Sequence, residues 1–211
     1  MRTCICISRK YGSNGLLIAE KVASRLSLSC YDSELIAKAV EISGVDTSLL
    51  EATRPKKAND WLYENMYSEG SAEYSGKSPQ EIFMESTEQA IIEYSAMSDC
   101  VFVGRNAGQI LKTNTKFNVI CVFITAFLDD RIANVVEREH VSEFEAKRQI
   151  RKIDKLRSEY FEFYKPEIKE SKDGVWGDPL MYDACFNCSQ LKADEIACSI
   201  EGLYNKISNQ K

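Results

Sequence analysis

The stretch Ser8–Ala19, SRKYGSNGLLIA, decides how the rest of the chain is read. It follows the apolar run TCICI and leads into a segment with apolar residues at Ile18, Ala19, Val22, Ala23 and Leu26, the spacing of one helix face. The pattern predicts a buried strand over Thr3–Ser8, a glycine turn, and a helix over Gly15–Leu26. Glycines at such a turn let backbone N–H groups converge on one point at a helix N-terminus, where the dipole favours an anion. Gly12, Asn14 and Gly15 keep that geometry available. In register with the phosphate-loop pattern G-x-x-x-x-G-K-S/T, however, Arg9 stands at the first glycine, Gly15 at the lysine and Leu16 at the metal-binding hydroxyl. A lysine about 4 Å from a phosphate charge contributes up to roughly 4 kcal/mol at an effective dielectric near 20, so losing it costs on the order of a hundredfold to a thousandfold in rate. Arg9 and Lys10, on the approach to the turn, are the candidates to supply that charge. On spacing alone, a plain strand-to-helix turn accounts for the stretch as well as a phosphate site does.

Working outward, LSCYDSELIAKAV reads as a short strand ending near Tyr31, then Asp32 or Ser33 as the N-cap of a helix carrying Leu35, Ile36 and Val40. Residues 43–78 are polar and irregular, with Trp61, Tyr63, Tyr67 and Tyr74 among charges, and read as a helical insert. Pro79 opens a helical pattern to about Ala96. DCVFVG, Asp99–Gly104, and FNVICVFITA, Phe117–Ala126, are buried strands bounded by turn residues. A charged helix follows from Leu128 to about His140, and Ser142-Glu-Phe-Glu145 has the form of a capping box opening a second, to about Tyr164. Lys165–Gly177 reads as a loop, ACFNCSQ as a last strand, and Ala193–Ile207 as the closing helix. Strands alternating with helices imply a mainly parallel sheet covered on both faces, with ligands beyond the carboxyl ends of its strands. The first turn and the turns after Tyr31, Gly104 and Ala126 should converge there.

Composition narrows the possibilities. A chain of 211 residues with 44% hydrophobic and 28% charged residues fits one folded α/β domain. Its net charge of -5 disfavours an extended nucleic-acid surface, whose affinity comes from neutralising phosphates, but leaves room for a small anion in a local basic pocket. The longest apolar run, Val119–Leu128, is too short to span a bilayer, and the apolar part of MRTCICISRK is too short for a signal peptide; a cytoplasmic protein is expected. The eight cysteines are then reduced thiols, with Cys4, Cys6, Cys100 and Cys121 in apolar runs. Cys185 and Cys188 form a lone C-x-x-C far from the single histidine, so they read as structural. Gly70–Ser78, GSAEYSGKS, contains Gly-Lys-Ser but has five residues between its glycines and no strand before it, and reads as an exposed loop.

Gly104-Arg105-Asn106 follows a buried strand directly, so Arg105 should emerge at the ligand end of the sheet, either to hold a phosphate or base edge or to pair with a carboxylate. Arg131, Arg138, Arg148, Arg151, Asp154 and Arg157 recur along the two charged helices; most should be solvated, while Asp154 and Arg157 share one face at i, i+3. His140, near a helix end, reads as a surface residue.

Taken in order, ISRKYGSNGLLIAEKVASRL, CYDSELI, VFVGRNAGQIL, VFITAFLDDRI, IDKLRSEYF and DPLMYDACFN resemble the cytidylate kinase-like family, relatives of bacterial cytidylate kinases among the P-loop nucleoside monophosphate kinases. The resemblance covers most of the chain and is weakest over 43–98. It implies an α/β P-loop NTPase-type fold: a five-stranded parallel sheet with helices on both faces (core 1–42, 79–130 and 178–211), a helical monophosphate-binding insert (about 43–78) and a helical lid (about 131–177), all one kinase-like domain. It places Gly12, Ser13, Asn14 and Gly15 in the phosphate loop, with Arg9, Lys10 and Arg138 beside the donor. Asp32, Ser33, Arg105 and Asn106 fall on the monophosphate side. Asp154 and Arg157 match an Asp-x-x-Arg that contacts nucleotide, and Arg131 falls at the lid; Arg105, Arg131, Asp154 and Arg157 are the catalytic candidates. The implied donor is ATP with Mg2+, and the partner a small nucleotide rather than a nucleic acid or a membrane. Gly15, Leu16 and Asn106 depart from the family's lysine, hydroxyl or arginine, and aspartate. The expectation is therefore phosphoryl transfer from ATP to a nucleoside monophosphate or another small acceptor. The rivals are a nucleotide-binding module without transferase activity, and an interaction protein using the aromatic insert.

Overall fold

A computed structural model describes residues 1–43, 79–162 and 175–208; beyond Ser43, the insert expected over 43–78 lies outside the described residues, as do positions 165–174 of the expected loop. The chain divides into two compact units, residues 1–31 with 95–211, and residues 32–94.

The first unit is built on five strands, β1 (Arg2–Arg9), β2 (Ser29–Tyr31), β3 (Cys100–Val103), β4 (Phe117–Thr125) and β5 (Ala184–Asn187), in the order β2-β3-β1-β4-β5 and parallel at every pairing. The apolar runs become the sheet's middle because a parallel strand buried on both faces needs no alternation of polar residues. β1 sits at the centre, and the order reverses there: β3 pairs on one side of it and β4 on the other. Its carboxyl end is therefore the switch point at which such sheets bind ligands.

The two faces of the sheet differ in chemistry. Ile5, Ile7, Val101, Val103, Ile120, Val122 and Ile124 point to one side, where α1 (Gly15–Leu26) and α7 (Ala193–Ser208) cover them with Ile18, Val22, Ile196 and Ile200. The alternate residues, Cys4, Cys6, Cys100, Phe102, Cys121 and Phe123, point to the other, all buried. There α4 (Ala107–Lys112), a short helix with too few turns to show a period in the sequence, lies close to the sheet: a Cβ on Gly108 would stand 2.5 Å from Cys121 Sγ and 3.3 Å from Cys6 Cβ. Burial pushes the Cys121 thiol up to about 11, and Cys188 likewise to about 11. All eight cysteines are free thiols, with Cys185 exposed and Cys188 half-buried.

α5 (Leu128–Glu139) and α6 (Glu143–Glu162) follow β4 and pack on each other through Ile132, Val135, Ala146, Ile150 and Ile153. The start of α6 is capped as its sequence predicts, the Glu145 N–H donating to Ser142 Oγ at 3.2 Å. In the second unit, α2 (Ser33–Ser43) and the first part of α3 (Pro79–Met97) bury Ala39 and Phe83 with Ile36 and Val40 packed against them. The Asp32 N–H donates to Glu34 Oε2 at the start of α2.

Gly108→Ala should cost about 1–3 kcal/mol, because the new methyl meets a sulfur on a strand that cannot move. Denaturant titration is expected to give a lower midpoint at unchanged slope, and adding Cys121→Ala should recover part of the loss.

Candidate active site

The turn from β1 into α1 has the left-handed backbone its glycines foretell: Gly12 at φ 82° and Asn14 at φ 56°. Asn14 is the residue before the helix, so the N–H groups of Gly15, Leu16 and Leu17 have no acceptor within α1. Ser13 is buried, its hydroxyl donating to the carbonyls of Lys10 (2.8 Å) and Ile124 (3.3 Å), which fixes the loop to the end of β4. At Gly12 a Cβ would lie 2.6 Å from the Arg131 carbonyl, so α5 passes against the loop backbone.

Gly15 explains the missing lysine. A Cβ there would stand 2.5 Å from Arg9 Cβ and 2.8 Å from Arg9 Cγ. The Arg9 side chain crosses the space that a residue-15 side chain would need and runs on to Gly104 at the end of β3, where its Nη1 lies 2.0 Å from the position of a Cβ. Within the motif register the cation and the glycine have exchanged places.

The charged helices meet the loop through its backbone. The Tyr11 N–H donates to Asp154 Oδ1 at 2.8 Å, and Arg131 donates from Nε to the Tyr11 carbonyl at 2.7 Å and from Nη2 to Asp154 Oδ2 at 2.5 Å. Arg157 Nη1 donates to the Arg9 carbonyl at 2.7 Å, and Asn134 Nδ2 to the Gly12 carbonyl at 2.9 Å. Arg131 is thus 7% exposed, in contrast to the solvated position expected for most arginines of these helices. Tyr11 is buried in the α5–α6 core, its ring flanked by Arg138 at 5.0 Å and Arg157 at 5.7 Å and its hydroxyl donating to Glu139 Oε1 at 3.3 Å. Burial raises the phenol's pKa above its usual value.

Lys10 lies on the same loop. Its Nζ is 4.2 Å from the centroid of the Trp176 ring, which packs edge-on against Phe123 at the end of β4. Desolvation lowers the pKa of this half-buried ammonium; Asp154 opposes the shift, and Arg131 and Arg157 add to it. Nothing in the sequence pattern singled out Trp176. Its one local signal is the following Gly177, at φ 89°, which brings the chain back onto the Phe123 ring.

The turn after β3 is a second left-handed stretch, Gly104, Arg105 and Asn106 at φ 76°, 54° and 54°. Asn106 is 6% exposed and its amide donates to the Tyr160 carbonyl at 2.6 Å. Tyr160 is in the last turn of α6, where carbonyls lack helical partners. The departure from aspartate therefore has a physical reason: an amide can donate to that carbonyl and a carboxylate cannot. Residues 154, 157 and 160 of α6 thus hold both turns, the first through Asp154 and Arg157 and the second through Tyr160.

The structure accordingly brings together Arg9, Lys10, Gly12, Ser13, Asn14, Gly15, Arg131, Asp154 and Arg157 at the first turn, with Arg138 at its rim on Tyr11. Arg9 links this turn to that of Arg105 and Asn106. Asp32 and Ser33 open the second unit. His140 is exposed, as expected, at the end of α5. A phosphate fits the first turn, which combines N–H groups at a helix start with several cations around the Asp154 carboxylate. A protein-held metal does not: among the described residues no cluster of three His, Cys, Asp or Glu side chains could bind one, residue 16 is leucine, and the Ser13 hydroxyl is committed to two carbonyls.

Residues 4–190 match the cytidylate kinase-like family in sequence. The chain belongs to that family. No curated protein matches it. Among solved structures, an uncharacterized protein from Eubacterium ventriosum is 26% identical, with a TM-score of 0.66 over 96% of this chain and 98% of that one. Shikimate kinase from Bacteroides thetaiotaomicron is 11% identical, with a TM-score of 0.54 over 96% and 98%, and a protein from Thermus thermophilus is 12% identical, with a TM-score of 0.54 over 97% of each chain. The latter two are likenesses of fold, and the fold is that of the P-loop kinases. Membership makes the chain a nucleotide-binding kinase-like protein. Among the described residues no helix is long and apolar enough to cross a membrane.

Asn106→Asp should destabilise this cytidylate kinase-like chain by about 2–3 kcal/mol at neutral pH, since it sets a carboxylate against the Tyr160 carbonyl. The new carboxyl can donate once protonated, so its folded pKa lies above the unfolded value. Thermal unfolding is expected to show the deficit shrinking as pH falls through that raised pKa, and smallest below about pH 4.

Proposed function

We propose that the chain transfers a phosphoryl group from ATP to a small acceptor of the nucleoside monophosphate class, with its loop cation supplied from the strand side of the turn. The observation that carries this reading is the exchange at Arg9 and Gly15, which preserves a cation beside the phosphate loop where the register has lost one. Phosphoryl transfer is mainly positioning and stabilisation of charge on the transferred group, so the origin of the cation matters less than its place. Arg9 and Lys10 face the donor phosphates, and Arg157, bonded to the Arg9 carbonyl, sets the loop from behind. Arg105 meets the acceptor from the turn after β3. Arg131 and Asp154 keep the loop in shape by bonding each other and Tyr11, and Arg138 closes the rim.

Two measurements test this. Calorimetric titration with ATP, ADP, CMP and dCMP, with and without Mg2+, followed by a coupled ADP-release assay, is expected to show saturable binding of donor and acceptor and turnover that Arg105→Ala abolishes. Binding without turnover for any acceptor would instead identify a nucleotide-binding module, and no binding would refute the reading. In the second, Gly15→Lys alone should fold poorly because Arg9 occupies its space. The pair Arg9→Gly with Gly15→Lys should restore folding and nucleotide binding together.

A further inference from the structure

Lys10 is an unusual lysine. Long ammonium side chains are normally left in water, where the charge is solvated, or paired with a carboxylate. This one is half-buried, and among the described residues it forms no ion pair: the Asp154 carboxylate nearby is taken by the Tyr11 N–H on one oxygen and by Arg131 on the other. Its neighbours from the packed elements are otherwise cations, Arg131 of α5 and Arg157 of α6. Besides the Asp154 charge, what offsets the desolvation is the face of Trp176, 4.2 Å from Nζ, an indole being the best cation–π partner among the side chains. Trp176 is itself fixed rather than loose. It is 7% exposed and edge-on to Phe123 of β4, with ring centroids 5.4 Å apart; Phe123 in turn packs against Tyr182 and lies close to Gly177. A rigid aromatic face therefore holds the ammonium beside the loop, where among the described residues it forms no ion pair.

We infer that Trp176 is a positioning residue that holds Lys10 as the phosphate-facing ammonium of this loop, in the role left open by Gly15. The inference rests on the phosphoryl-transfer reading and adds a residue from outside every motif of the chain. A bound phosphate completes the arrangement by giving the ammonium an anion in direct contact, so Trp176 acts on phosphate affinity and on the titration of Lys10 together. Binding requires the protonated amine. Affinity is therefore full at low and neutral pH and falls as pH rises through the lowered Lys10 pKa. Removing the ring lets water reach the amine, which returns its pKa toward the usual lysine range.

The test uses the full chain and two probes, Mg-ATP and inorganic tripolyphosphate, the second reporting phosphate recognition without a base. Trp176→Leu keeps apolar bulk and removes the π face, and should weaken both probes roughly tenfold, the size of a partly desolvated cation–π contact. Trp176→Phe keeps a weaker face and should lie between Trp176→Leu and wild type, and Lys10→Met should lose on the order of a hundredfold. A merely structural tryptophan would not move the NMR titration of the Lys10 side chain, assigned by its disappearance in Lys10→Arg. The expected result is an upward pKa shift in Trp176→Leu, and an alkaline limb of tripolyphosphate affinity that moves with it. Wild-type binding with Trp176→Leu equally tight, or a Lys10 titration indifferent to the ring, overturns the role of Trp176 alone. Failure of the wild-type chain to bind either probe overturns the nucleotide reading and the role of Lys10 with it.

Discussion

The carboxylate of Asp154 is the constraint on which the site depends. It stands among Lys10, Arg131 and Arg157, and with its two oxygens it receives the Tyr11 N–H and the Arg131 guanidinium. Without it these cations would repel one another around a loop whose backbone has little regular hydrogen bonding of its own. With it the loop is anchored. Because Asp154 and Arg131 are both largely buried, with side chains 14% and 9% exposed, removing either would leave the other uncompensated in a poorly solvated place. The pair is thus a condition for the loop's shape before it is anything in catalysis.

α6 extends the same logic from one turn to two. Positions 154, 157 and 160 recur every three residues along one side of the helix. They meet the backbone of the first turn twice and the Asn106 amide of the second once. The ends of the central strand β1 and of its neighbour β3 are therefore referenced to a single rigid rod. Tyr11 carries the coupling further, since it belongs to the loop by sequence and to the α5–α6 core by packing. In this structure the helices expected to form a lid share their core with the loop, rather than standing off it.

Legibility followed the range of the interactions. The strands and long helices were readable because each declares itself locally, through apolar runs of strand length or apolar residues at helical spacing. α4 was not, because its six residues hold fewer than two turns and its buried face includes Gly108 and Gln109, which no apolar period marks. The burial of Arg131 was hidden for a related reason. On α5 it lies one turn before the buried Val135, a place where charge ordinarily means solvent; its burial is paid for by Tyr11, 120 residues away, and Asp154, 23 away. Asp154 and Arg157 were recognisable as a pair at i, i+3, but their partners are an N–H and a carbonyl of the loop backbone, which carry no residue signature. Lys10 on Trp176 depends on a contact between residues 166 apart in the chain, linked by no periodicity.

The departures from the family pattern form a consistent set once the packing is known. Gly15 is glycine because Arg9 lies over it, and Asn106 is an amide because a helix-terminal carbonyl faces it. In each case the residue that chemistry would ask for has been exchanged for the one that the neighbouring side chain or carbonyl requires. Leu16 differs: it is 42% exposed, and no contact in the structure explains its place. Cations remain at the turn through all of this, while the hydroxyl and the carboxylate of the pattern are gone. That division is the one expected of a loose phosphoryl-transfer transition state, whose stabilisation depends on charge around the transferred group more than on a protein base.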